Sequence, residues 1–204
     1  MAEYRSINAT PMLAPVPAVL VSCKGTASDA HPNALAIAWA GTVCSHPPMV
    51  SISLKPERYS YGLIHESREF VVNLVDEAHA KALDYCGVHS GRGEDKLAIC
   101  NLDVKSMEGL EYAPMLDGFP VSLGCRLVQA LPLGSHEMML GEIVSVQVRS
   151  DLIDGDGSLH LERAGLICYS HGIYQRTADA LGFFGWSVAR TETFQRRMDA
   201  IRSR

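Results

Sequence analysis

No run of this chain approaches the roughly 20 consecutive apolar residues of a membrane-spanning helix. Met12 to Val21 is apolar, but Pro15 and Pro17 interrupt it. The amino-terminal residues are polar and lack the apolar segment of a secretion signal, so a chain that stays off membranes is expected. Basic charge is short as well. Eighteen Lys and Arg stand against 23 Asp and Glu, a formal charge of −5, so the footprint of a nucleic-acid binder is missing. None of the six cysteines (Cys23, Cys44, Cys86, Cys100, Cys125, Cys168) forms a Cys-x-x-Cys pair, which removes zinc-ribbon and thioredoxin-like readings. Scattered among apolar neighbours, they read as small hydrophobes in a reducing cytoplasm, without disulfides.

Short catalytic signatures are missing too. The chain has no Gly-x-Gly-x-x-Gly, no Gly-x-x-x-x-Gly-Lys-Ser/Thr and no Gly-x-Ser-x-Gly. Its eight histidines include no His-x-x-x-His, so each reads as a surface or structural residue rather than a metal ligand. Ser135, His136 and Glu137 are consecutive, and on a strand their side chains alternate faces, so they do not converge as a triad. Asp151 to Glu162 spans the twelve positions of an EF-hand loop. However, Ile153, Gly155 and Asp156 stand where that loop needs two Asp or Asn and then glycine. It reads as a turn. With no convincing catalytic set among the side chains, a bound cofactor is the expected carrier of chemistry.

What the chain does have is strand pattern. At 204 residues, 47% of them hydrophobic, it fits one domain over residues 1–204, with a core at about 15–175 and a tail from 176. Ala18 to Cys23 and Ala34 to Ala40 read as a hairpin, with Gly41 to His46 leading out of it. The second strand has small residues around Trp39. Small side chains let a flat ligand approach the backbone, or equally let sheets pack tightly. Met49 to Leu54 alternates apolar residues with Ser51 and Ser53, and Phe70 to Val75 is a further strand. Glu77 to Tyr85 reads as a short helix stopped by Gly87. Residues 88–119 are loop-rich and long enough for a binding loop. Val121 to Pro132 and Glu137 to Val148 are long strands joined by Leu133 to His136, with a bulge or close approach at Gly141. Leu166 to Ser170 is the last strand. A Gly-broken aromatic segment (Tyr174, Leu181, Phe183, Phe184, Trp186) and a polar, Arg-rich end from Arg190 follow. About seven or eight strands with few short helices predict a mainly β, antiparallel barrel or sandwich.

One turn carries chemical promise. Pro56 ends the strand at Lys55, and Tyr59 or Ser60 is expected to cap a helix over Tyr61 to Ser67. Ser53, Lys55, Arg58 and Ser60 thereby gather at a helix N-terminus, a place for a phosphate. An ordinary capped turn with a solvated basic pair is the other reading of the same residues.

In order, these segments resemble the flavin reductase-like, flavoredoxin-like proteins with an FMN-binding split β-barrel. The resemblance rests on Pro17 to Val21, Asn33 with the Trp39 strand, Pro47 to Ser53, Arg58-Tyr59-Ser60 and Glu69 to Asn73. It continues through Ser90-Gly91-Arg92 with Asp95-Lys96, His136 before Gly141 to Ile143, and Cys168-Tyr169 with Tyr174. It implies FMN as cofactor, with the ring near Ala38, Trp39 and Ala40. The phosphate would lie at the turn of Ser53, Lys55, Arg58, Tyr59 and Ser60, near Asn33. Ser90, Gly91, Arg92 and Lys96 would add contacts from their loop. His136 is the one candidate for chemistry, and it departs from the Asp-His pairing expected there because Ser135 precedes it. A homodimer is implied, with the tail as lid or dimer arm.

The implied function is a flavin-dependent oxidoreductase moving electrons from a reduced donor, NAD(P)H first, to an acceptor. An electron carrier without its own nicotinamide site, fed by a protein donor, is the alternative. A lipocalin-like ligand barrel is the non-redox one.

Overall fold

The computed structural model describes residues 1–202. Its strands are β1 (Val16–Pro17), β2 (Val19–Cys23), β3 (Asn33–Ile37), β4 (Ala40–Ser45), β5 (Pro48–Leu54), β6 (Glu69–Leu74), β7 (Val104–Lys105), β8 (Met115–Leu116), β9 (Val121–Pro132), β10 (Glu137–Val148), β11 (Ile167–Ser170) and β12 (Ile173–Arg176). Seven form one sheet in the order β3-β2-β6-β9-β10-β5-β4. Its pairings are antiparallel throughout. The edge strands β3 and β4 are joined by Ala38 and Trp39 alone, so the sheet must curl until its two edges lie together. Strands β1, β11 and β12 make a smaller ribbon, and β7 pairs with β8.

Alternation decides which face of the sheet is inside. On β5, Val50, Ile52 and Leu54 are buried while Met49, Ser51 and Ser53 are half-buried. The register sets Ile52 against Met139 and Val50 against Gly141, and these inward residues join Phe70, Cys125 and Leu127 in the main core. Gly141 is both a bulge and a close approach. The β9–β10 register shifts at Leu140/Gly141, and a Cβ on Gly141 would lie 2.4 Å from the Phe70 ring. A second core of Ala18, Leu20, Ala34, Leu83, Cys86, Leu97 and Phe119 packs the short helices on the sheet.

The described residues also form four α-helices: α1 (Tyr59–Ser67), α2 (Ala80–Val88), α3 (Lys96–Ile99) and α4 (Thr191–Arg202). Buried polar residues tie the long loop after α3 to the sheet. Glu69 accepts from the backbone N–H groups of Glu111, Tyr112 and Ala113 at 2.7–3.1 Å. Asn73, fully buried, donates to Leu20 O and Ser22 Oγ, and accepts from Leu116 N and Ser122 Oγ.

The antiparallel, mainly β class is as expected, and both long strands have the expected limits. Other boundaries differ. The strand expected over Ala34 to Ala40 is divided at Ala38–Trp39, because Trp39 O turns to accept from Ser53 N (2.8 Å) while β3 stays on β2. The lead-out at 41–46 is mostly strand β4, whose Gly, Thr, Cys and Ser give no apolar alternation. Arg58, not Tyr59 or Ser60, is the N-cap of α1. Gly87 does not stop α2; it lies inside the last turn, where a Cβ would sit 3.2 Å from the Ala36 Cβ. The loop-rich region holds α3, capped by Asp95, and the β7–β8 pair. Strand β12 and helix α4 were both absent from the sequence expectation. In the tail, Phe183 and Trp186 pack on Phe194 of α4.

Candidate functional site

Two adjoining cavities open where β3 meets α1 and α2. The smaller, about 270 Å³, is lined by Asn33, Tyr59, Ser60, Ser90, Gly91, Arg92 and Lys96, with Lys55 and Arg58. The larger, about 460 Å³, is lined by Ala36 to Trp39, Ser53 to Lys55, Arg58 and His136. Lys55 and Arg58 line both. Of the candidate cofactor-binding residues and His136, Ala40 alone is outside these walls; its side chain packs on the main core. The others are brought together.

The smaller cavity is built for an anion. Arg58 caps α1 in extended conformation with no side-chain cap bond, and no acidic residue sits in the first turn. Tyr61 N–H already donates to Arg58 O (3.0 Å), so the N–H groups of Tyr59 and Ser60 are the ones left for a ligand or water. Ser60 is buried, and its hydroxyl accepts from Asn33 Nδ2 at 2.7 Å. Arg58 donates to Gly87 O (3.1 Å) and Arg92 to Glu57 O (2.9 Å), which fixes both guanidiniums while leaving further donors.

Lys96 is the decisive residue. It is 3% exposed, yet its ammonium meets only carbonyls, Cys86 O at 3.1 Å and His89 O at 3.2 Å. Among the described residues no carboxylate comes within ion-pairing distance of it. Burial pushes its pKa below the ordinary lysine value, partly offset by the Cys86 and Cys23 thiols. A buried cation without a counter-ion is costly, and an anion in the cavity would relieve that cost.

The 88–95 loop is held in place by its own contacts. His89 Nδ1 lies 2.7 Å from Glu94, the Tyr85 hydroxyl donates to the same carboxylate at 3.0 Å, and the Tyr85 and His89 rings stack at 3.9 Å. Gly91 closes on Asn33 so tightly that a Cβ would lie 2.3 Å from Asn33 Oδ1.

In the larger cavity, Trp39 and His136 rings meet at 4.3 Å. Burial lowers the His136 pKa, with Lys55 adding to the effect, so its imidazole is neutral near pH 7. Its Nδ1 is 2.9 Å from Ser135 Oγ. Glu137 takes no part there, since it binds Tyr61 and His65. No triad forms. The buried thiols are inert by the same physics: desolvation raises Cys23 and Cys86 to about 12. Among the described residues no group of His, Cys, Asp and Glu could hold a metal, and no helix is long and apolar enough to cross a membrane.

Sequence reading missed part of the wall. Leu83, Asp84 and Val88 of α2, Tyr169 and Tyr174 of the ribbon, His171 of its turn and Pro11 to Ala14 of the amino-terminal segment also line the larger cavity. Tyr169 and Tyr174 carry the family resemblance without a place in the expected site; the others are marked only by neighbours distant in sequence. Among the described residues, none after Tyr174 lines either cavity, whereas Pro11 to Ala14 of the amino-terminal segment line the larger one.

The flavin reductase like domain family matches residues 12–177. The chain belongs to that family. Its curled sheet is the antiparallel split barrel of those proteins. A flavoredoxin of Desulfovibrio vulgaris (Miyazaki F) superposes with a TM-score of 0.84 at 28% identity, over 92% of this chain and all of that one. An uncharacterised protein of Aeropyrum pernix is 30% identical over 127 residues, which is 62% of this chain but about half (48%) of that relative's length. An NADPH-flavin oxidoreductase of Streptomyces viridifaciens is 26% identical over 124 residues, 58% of this chain and 62% of that protein.

Proposed function

We propose that the chain binds FMN non-covalently and moves electrons from a reduced donor, NAD(P)H first, through the flavin to an acceptor. The buried, uncompensated Lys96 beside an uncapped helix N-terminus carries this reading, because a cavity of about 270 Å³ around them suits one phosphate group. Arg58, Arg92 and the first-turn N–H groups of α1 would hold that phosphate with Lys96. The ring would lie in the larger cavity along Ala36 to Trp39, where the Ala36 and Ala38 side chains leave room. Bound flavin supplies the redox chemistry; the chain supplies position, charge and exclusion of water. The first test is colour: purified protein should take up FMN and turn yellow. Colourless protein that ignores added FMN would return the chain to a ligand-carrier reading.

The likeness to a flavoredoxin supports a second reading, an electron carrier without its own nicotinamide site. Mixing holoprotein with NADH or NADPH without oxygen separates the two: rapid bleaching of the flavin marks the enzyme. The proposal includes a two-fold homodimer, supported by outward apolar residues on β9 and β10 such as Val128, Val144 and Val146. A monomeric mass in dilute solution would end it.

Gly91→Val should push the 88–95 loop off Asn33 and weaken FMN by tenfold or more, the scale of one lost charged contact at about 1.5–3 kcal/mol. Fluorescence titration reads the loss, and unchanged affinity would mean that the loop does not touch the ligand. His136→Ala should leave FMN affinity intact and slow flavin reduction by less than about a hundredfold, the scale of general acid–base help. A larger drop would give the imidazole a chemical role.

A further inference from the structure

Carboxylates beside an anion pocket oppose its ligand by charge, so each calls for a reason. Glu57 pairs with Lys55 (3.7 Å), and Asp95 caps α3 by accepting from Ala98 N–H (3.0 Å). Glu94 is placed differently. It belongs to the loop that brings Ser90, Gly91 and Arg92 to the smaller cavity, yet it lines neither cavity itself. Its Oε2 accepts from the Tyr85 hydroxyl at 3.0 Å, and its Oε1 lies 2.7 Å from His89 Nδ1. Tyr85 and His89 are four residues apart on one face of α2 and its C-cap, with their ring planes only 12° from parallel. The His89 N–H also donates to Tyr85 O (3.1 Å), so both the ring and the backbone of His89 are fixed. His89 does line the pocket, and its carbonyl shares the Lys96 ammonium with Cys86 O. These two carbonyls lie at the negative end of α2 and repel an anion until Lys96 covers them. Burial lowers the Lys96 pKa, and Glu94, after the Cys86 and Cys23 thiols, is among the groups that favour its charged form.

We propose that Glu94 is a positioning residue of the anion pocket. Through His89 it keeps the carbonyl that holds the Lys96 ammonium in the pocket wall, and so strengthens the binding of an anion that its own charge opposes. The identity of that anion as the FMN phosphate rests on the proposed flavin reading. The clamp itself rests on the contacts of Glu94 with Tyr85 and His89.

The sign of one substitution decides. Glu94→Gln keeps the shape and removes the charge, so a carboxylate that acted only as a nearby negative charge would leave FMN bound more tightly. With the clamp lost, FMN should instead bind about three- to tenfold more weakly, the worth of one hydrogen bond, and riboflavin should stay within about twofold of its own value. Glu94→Asp keeps the charge but is one methylene shorter, so it cannot reach both partners and should weaken FMN to a similar extent. Fluorescence titration of both flavins well below the unfolding transition reads the difference, since a general loss of folding weakens the two together. Hydrogen exchange reads the clamp without flavin: inorganic phosphate should slow exchange of the Ser90 to Lys96 amides in the unaltered protein, and slow it less in either variant. FMN bound as tightly or more tightly by Glu94→Gln, undiminished affinity in Glu94→Asp, or equal weakening of both flavins overturns the proposal. If the unaltered protein ignores FMN while phosphate still protects the loop in a manner that needs Glu94, the flavin reading falls and the positioning role stands. If phosphate gives no protection either, both fall.

Discussion

Lys96→Met should weaken FMN binding by about ten- to a hundredfold while changing riboflavin binding far less, because a lost hydrogen bond to a charged group costs about 1.5–3 kcal/mol. The methionine keeps the buried stem and removes the ammonium. Cys86 O and His89 O also lose their donor, so part of the loss could come from a displaced loop. Arg58→Ala separates the two causes. Its guanidinium donates to Gly87 O in the last turn of α2, and its loss too should weaken FMN at least tenfold with little effect on riboflavin. Equal weakening of both ligands in both variants would show that no phosphate is held there. The charge also sets a pH dependence. Burial lowers the Lys96 pKa below 10.5, so the unfolded chain binds that proton more tightly than the flavin-free fold does. Stability of the flavin-free protein should therefore rise with pH through the interval between the depressed value and 10.5. Bound phosphate opposes the shift, so FMN affinity should fall as Lys96 deprotonates. Chemical denaturation of both forms across that interval measures the difference.

Much of this site was legible because its residues are close in sequence. Lys55 to Ser60 is a single turn, and Ser90 to Lys96 a single loop, so proline, serine and basic residues mark them directly. The cavities also hold Asn33, Trp39 and His136, which the ordered resemblance supplied and spacing alone did not. What escaped notice comes from folding over distance. Asp84 reads as an ordinary helix-surface acid, and Tyr174, though part of the resemblance, as a residue after the last expected strand with no place in the site. They meet because β12 returns along β11. Trp39 was expected inside a strand, yet the closure of the sheet happens at that residue, and a hydrophobic pattern shows no sign of a chain passing from one sheet edge to the other. Lys96 shows the same limit from the other side. Its sequence context suggests a solvated loop lysine, and its burial under the end of α2 gives it its energetic weight.

The largest stability effect should come from Asn73, away from both cavities. Its side chain is fully buried, and its amide joins β6 to β2 and β9 and to the segment leading into β8. Asn73→Leu is close in volume, so it opens little cavity; its cost is electrical. It leaves Leu20 O, Leu116 N–H and the Ser22 and Ser122 hydroxyls to find other partners where water does not reach. At about 1–3 kcal/mol for each buried group left unpaired, and with Ser22 still free to donate to Pro114 O, the net loss should be about 3–5 kcal/mol. For a chain of this size that is a fall in Tm of roughly 8–15 °C. Ser122→Ala removes only one member and should cost about 1 kcal/mol, the usual worth of a single hydrogen bond. None of these groups lines either cavity, so FMN affinity measured well below the transition should be unchanged in both variants. A loss under about 1 kcal/mol for Asn73→Leu would mean that water reaches this network. In that case hydrophobic packing alone fixes how the long loop docks beneath the sheet.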